Sequence, residues 1–108
     1  MPNAPFTADD NTLGPSLLGR EFVLVQFHAV WCGPCKAFAP IVAAVAAGLQ
    51  ETNVVRVDID RAPQATRQYG VSGVPLLVLF RGGKEVWRQP GLQTASAVKA
   101  AIAPFGAR

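Results

Sequence analysis

Three short apolar runs constrain this chain more than anything else in it: Phe22 to Ala29, Val54 to Ile59 and Leu76 to Phe80. Each is too short for a buried helix and rich in branched or aromatic residues, so each reads as a strand. In the first, Phe22, Leu24, Gln26 and His28 share one face and Val23, Val25 and Phe27 the other. Both faces are mostly apolar, as in a central strand covered on its two sides. Between the runs lie helical patterns. Phe38, Ile41, Val42, Val45 and Leu49 mark a buried stripe after Gly33-Pro34, and Ala62 to Tyr69 forms a short helix ended by Gly70. Pro40 stands inside the first of these and should kink it.

After the third strand, Gly82-Gly83 makes a hairpin turn into a return strand, Lys84 to Gln89, which stops at Pro90-Gly91. Thr94 then caps a last helix carrying Val98, Ala101, Ile102 and Phe105. At the front, residues 1 to 7 read as a loose tail or a weak edge strand, because Pro2 and Pro5 each remove a ladder donor. Asp9-Asp10-Asn11 offers caps for a short helical piece interrupted by Gly14-Pro15. The fold class is therefore α/β, a central mixed sheet of four to five strands flanked by helices on both faces. With 108 residues there is one core, placed here in residues 8–108 as a single domain.

Composition excludes several functions. The net charge is +3, but the basic residues are scattered from Arg20 to Arg108, so no nucleic-acid surface is expected. No apolar stretch approaches the roughly 20 residues of a membrane helix, so no membrane role is expected. The first ten residues carry no basic and apolar leader, which makes the cytoplasm the default location unless a signal has been removed.

The chain has two cysteines, Cys32 and Cys35. A structural staple is a poor use of them, since closing a four-residue loop gives about 1.9 kcal/mol against about 3 for a loop of 15. A metal site lacks ligands: there is no second cysteine pair, and His28 is the only histidine. Redox chemistry fits the spacing. Positions i and i+3 of a helix put Cα atoms about 5 Å apart, within disulfide reach. Cys32, before the first helical turn, meets free N–H groups and the positive dipole end and becomes the nucleophile. Cys35, one turn in, should be less exposed and suits the resolving role.

Trp31-Cys32-Gly33-Pro34-Cys35-Lys36 after an apolar strand, followed by Ala39-Pro40, Asp58-Ile59-Asp60, Tyr69-Gly70, Gly73-Val74-Pro75 and Gly91, resembles the thioredoxin family over residues 8 to 105. The resemblance implies a thioredoxin fold and a protein-disulfide reductase whose Cys32–Cys35 pair cycles between dithiol and disulfide. A lowered pKa of the first cysteine is a property of that family rather than a deduction from this chain. It implies that Pro75 is cis and that the Val74 backbone pairs with substrate peptide. It also implies disulfide-containing protein substrates, a monomer, and re-reduction by a separate NADPH-dependent flavoprotein, thioredoxin reductase. No nucleotide cofactor is expected on this chain, which has no G-x-G-x-x-G or phosphate loop. Gly33, Pro34, Val74, Pro75 and Gly91 should form a small apolar surface around Cys32. Trp31 reads as packing beside the active-site turn or in the core, Trp87 as cover for the sheet edge, and His28 as a packed neutral ring. The Gly33-Pro34 dipeptide favours reduction over oxidation within the superfamily.

The departure from the family is Gln26, where thioredoxins usually carry a buried aspartate. An amide cannot act as a base. Without that carboxylate, Arg56 is expected to turn to Asp58 or Asp60 on its own face. A carboxylate 6 Å from a thiol at effective dielectric 20 disfavours its thiolate by about 2.8 kcal/mol, or roughly two pKa units. Its absence predicts a lower Cys32 pKa, a less reducing couple and slower proton removal from Cys35. Gln26 also keeps open a redox protein dedicated to one partner, and an interaction protein with dispensable cysteines remains the alternative from another class.

Overall fold

In the computed structural model, which describes residues 3–108, the apolar runs form the middle of one sheet. Its strands are β1 (Phe6–Ala8), β2 (Phe22–His28), β3 (Thr52–Asp58), β4 (Leu76–Arg81) and β5 (Lys84–Pro90), in the order β1-β3-β2-β4-β5. β1 and β2 run parallel to β3, β4 is antiparallel to β2, and β5 is antiparallel to β4. The three most apolar strands are thus the three interior ones. Gly82 and Gly83, at φ 59° and 81°, supply the positive dihedrals that the β4–β5 turn requires. Pro2 lies outside the described residues; β1 pairs through Phe6 to Ala8, so the edge strand crosses the boundary drawn after residue 7.

Helices α1 (Leu13–Leu17), α2 (Gly33–Ala47), α3 (Pro63–Gln68) and α4 (Ala95–Ile102) cover the two faces. On one face, Val23, Val25, Phe27, Val55, Val57, Val78 and Phe80 meet Leu13 and Leu17 of α1 and Ala65 of α3. On the other, Phe22, Leu24, Val54, Leu77 and Leu79 meet Phe38, Val42 and Val45 of α2 and Val98 and Ile102 of α4. Ile41 and Trp87 are partly buried against that second core. Phe105 does not join it: the chain tightens into a 3₁₀ turn over Ala103–Phe105, and the ring is 37% exposed. The change of period from α4 to the 3₁₀ turn rotates residue 105 off the buried stripe.

Helix starts find their N–H partners in different ways. Thr94 Oγ1 accepts the Ala97 N–H at the start of α4. Asp9 accepts N–H bonds from Asn11 and Thr12 ahead of α1. α3 has no local cap; its Gln64 and Ala65 N–H groups donate to the Asp10 carboxylate at 3.1 and 2.8 Å. Among the described residues, no helix is long and apolar enough to cross a membrane.

Candidate active site

The C-terminal ends of β2 and β3, the start of α2 and the turn before β4 converge on the two cysteines. Cys32 is the N-cap of α2, with φ −88° and ψ 110°, and Pro34 occupies the first turn where its missing N–H costs nothing. Cys32 and Cys35 are joined as a disulfide with Cα atoms 5.2 Å apart. The Cys35 N–H donates to Cys32 Sγ at 3.2 Å, so the sulfur takes the place of the capping oxygen usual at this position. Negative charge on that sulfur is stabilised by the N–H and by the helix dipole. Both cysteines are buried, Cys32 at 5% and Cys35 at 1% exposure, among Ala29, Ile59 and Val74.

The Val74–Pro75 peptide is cis, and the Val74 carbonyl oxygen lies 3.8 Å from Cys32 Sγ. Gly91, at φ 91°, donates its N–H to the Pro75 carbonyl at 2.9 Å, which ties the end of β5 to the cis turn. Pro75 is buried, Val74 and Gly91 are half-buried, and Gly33 and Pro34 are exposed. Trp31 is not a core aromatic. It is 66% exposed, and its indole N–H donates to Asp60 Oδ2 at 2.8 Å. Beside it Val30 is 67% exposed, and next to Gly91 Leu92 is 52% exposed. The sequence reading missed these two apolar side chains; their only signal was adjacency to Trp31 and Gly91.

Gln26 is fully buried, and its neighbour across the parallel β2–β3 pair is Arg56. The Arg56 Nε–H donates to Gln26 Oε1 at 2.9 Å. This corrects the expected turn of Arg56 toward Asp58 or Asp60. Those carboxylates have other donors: Asp58 Oδ1 accepts the Asp60 N–H, and Asp60 Oδ2 accepts Trp31. Among the described residues, the ion pairs are Arg81–Glu21 and Arg88–Glu85, so the Arg56 guanidinium has no carboxylate partner. Gln26 Nε2 is buried with no acceptor among the described residues.

A pocket of about 360 Å³ opens beside the pair, lined by His28, Cys35, Lys36, Ala39 and Arg56 together with Ala29 and Val30. His28 is half-buried there, and burial first, then the Arg56 charge, lower its pKa, while Asp58 opposes them. No group of three or more His, Cys, Asp and Glu among the described residues could hold a metal ion.

The thioredoxin family model matches residues 8–104. Thioredoxin from Chlamydia trachomatis serovar D is 49% identical over 76 residues, covering 70% of this chain and 74% of that protein. Thioredoxin from Alicyclobacillus acidocaldarius is 35% identical over 101 residues, covering 93% of this chain and 96% of that protein. A solved structure of a mutant thioredoxin from Halobacterium salinarum superposes with a TM-score of 0.89 at 34% identity, over 96% of this chain and 92% of the other. A disulfide-bonded Cys-x-x-Cys pair at the head of a helix, in this sheet order and with these relatives, makes the chain a member of the thioredoxin family and a thiol–disulfide oxidoreductase.

Proposed function

We propose that Cys32 is the attacking thiol and Cys35 the resolving one in the reduction of protein disulfides. The observation that carries this reading is the Cys35 N–H on Cys32 Sγ at the N-cap of α2, which favours the thiolate of Cys32 over that of Cys35. The reduced Cys32 thiolate attacks one sulfur of a substrate disulfide, whose S–S bond breaks to release the other sulfur as a thiolate and leave a mixed disulfide. Cys35 then attacks Cys32 Sγ, the substrate leaves as a thiolate, and the protein is left as the Cys32–Cys35 disulfide. Two electrons pass from the cysteine pair to the substrate.

The Val74 backbone beside Cys32 suits a short strand-like pairing with the substrate peptide, and Val30, Trp31 and Leu92 give it an apolar rim. Such a surface selects accessible disulfides rather than a sequence. Reducing equivalents come from a separate flavoprotein, a thioredoxin reductase using NADPH, with no cofactor bound to this chain. The chain acts as a monomer, and its place is the cytoplasm.

Turnover of an exposed inter-chain disulfide, such as that of insulin, with dithiothreitol as electron donor tests this reading. Wild type should turn over; Cys32→Ser should fall to the rate of dithiothreitol alone. Cys35→Ser should trap a mixed disulfide at Cys32. Failure of the wild type to turn over with any thiol donor would move the chain to a binding role in which the cysteines are dispensable.

A further inference from the structure

We propose that Arg56, anchored by Gln26, is the positioning residue that lets Cys35 resolve the mixed disulfide as a thiolate at neutral pH, with water rather than a side chain as the proton acceptor. The proposal rests on Cys35 being the resolving thiol.

The polar groups below the cysteines are oriented one way. Gln26 turns its acceptor oxygen to Arg56 and leaves an amide N–H₂ without an acceptor among the described residues. Arg56 is itself a donor only and lines the same pocket as Cys35. What the pair offers is positive charge and N–H groups, and neither member can take up a proton. Such an arrangement cannot act as a base, but it stabilises an anion formed beside it.

Of the other charged and titratable groups lining the pocket, Lys36 is a cation and His28 a ring able to take up a proton, which the His28→Asn variant below tests. From α2 there is Lys36, a second cation on the pocket wall, and Cys32 at the N-cap. From β2 there is His28 on the pocket wall, whose pKa burial and the Arg56 charge lower while Asp58 raises it. From β3 and the loop after it there are Asp58 and Asp60, outside the pocket lining and occupied by the Asp60 N–H and the Trp31 indole. The turn before β4 contributes only Val74 and Pro75.

In the resolving step the Cys35 proton passes to water in the pocket. The Cys35 thiolate forms a bond to Cys32 Sγ, and the bond from Cys32 to the substrate sulfur breaks. That sulfur leaves with the electron pair and takes a proton from solvent. The two cysteines are oxidised and the substrate disulfide is reduced.

Rapid mixing of the reduced protein with dithiobis(nitrobenzoate) separates the two steps. Attack by Cys32 releases one thionitrobenzoate, and resolution by Cys35 releases a second, whose rate against pH reports the Cys35 thiolate. Arg56→Gln should raise the midpoint of the second phase by about one pH unit, a tenfold slower release at pH values below the midpoint. Arg56→Lys, which keeps the charge, should stay within about 0.3 unit of wild type, and so should His28→Asn. Gln26→Leu, of similar volume, frees Arg56 and should raise the midpoint by about half a unit, so the test survives if Arg56→Gln fails to fold. An unmoved midpoint in Arg56→Gln or Gln26→Leu overturns the proposal, as does a shift in Arg56→Lys equal to that in Arg56→Gln. A midpoint that follows His28 instead also overturns it and makes the histidine the base. If wild type releases a single thionitrobenzoate, as Cys35→Ser should, the assignment of the two cysteines fails; two releases indifferent to residue 56 sink only the role of Arg56.

Discussion

The two faces of the sheet are built alike for most of their length and differ at one end. The face under α1 and α3 is apolar from Val23 through Phe27, with Tyr69 packed at its margin. The face under α2 and α4 begins in the same way, with Phe22 and Leu24, then changes at Gln26, which Arg56 bonds, and at His28, which shares a pocket with Cys35. Strand alternation makes this possible. One strand, β2, puts Phe27 into the first core while the residues on either side of it, Gln26 and His28, point to the other. The chain thus keeps one face for stability and gives up apolar packing on the other only where the chemistry is.

That division makes opposite predictions for the two faces, and the largest effect belongs to the apolar one. Phe80 is 1% exposed and meets the Tyr69 ring edge-on at 5.3 Å. Phe80→Ala should cost about 3 to 5 kcal/mol in denaturant unfolding. The second-phase midpoint for thionitrobenzoate release should not move. A shift of that midpoint as large as the one caused by Arg56→Gln would mean that the faces are coupled, and the division would fail.

On the other face, Gln26→Asp should leave stability closer to wild type and change the chemistry instead. An isolated carboxylate would raise a thiol pKa by about two units, but Arg56 Nε sits 2.9 Å from the Gln26 side-chain oxygen. An aspartate there pairs with Arg56 and cancels its field, so the expected rise in the Cys35 midpoint is about one to two units. The rate above the midpoint should be unchanged or faster, because a thiolate of higher pKa is the better nucleophile. A midpoint that falls on adding the carboxylate would contradict the reading of this end as an anion-stabilising site.

A smaller effect tests how the apolar face carries its helix. Asp10→Ala removes the carboxylate that accepts the Gln64 and Ala65 N–H groups at the start of α3. A lost cap of this kind costs about 1 kcal/mol. The cysteine chemistry should stay as in wild type, and an intact unfolding midpoint would show that water replaces the carboxylate at no cost.

These cases also mark what the sequence could carry. Apolar period and turn residues placed β2 to β5 and α2 to α4 within a few residues, because each of those signals is local. The cysteine pair was legible for the same reason: its geometry is fixed by i and i+3 on one helix. Asp10 was read as a cap for its own neighbourhood, whereas part of its work is on a helix more than 50 residues away, and no local pattern encodes that. Arg56 was expected to follow charge toward Asp58 and Asp60. The parallel register set it opposite Gln26, while Asp58 was already taken by the N–H two residues on and Asp60 by an indole 29 residues away. Trp31 carried no signal for exposure, since a tryptophan beside an apolar strand fits a core equally well.

The smallest expected effect concerns His28, the titratable ring that this end of the sheet adds. Burial and Arg56 lower its pKa in the folded chain below the ordinary value of 6.5. The fold therefore prefers the neutral ring, and the unfolded chain binds the proton first. The stability associated with a neutral His28 is complete above about pH 6.5, is lost as pH falls from there toward the folded pKa, and then levels off once both states are protonated. The ring is only half-buried, so solvent keeps the loss small. Unfolding midpoints of wild type and His28→Asn, followed from pH 7.5 to pH 5, should diverge, with wild type losing more. Arg56→Gln should narrow that gap, because the second cause of the lowered pKa is gone. Parallel curves for wild type and His28→Asn would mean that the ring gives up nothing on charging, and that the polar end of this face is more open to water than its packing implies.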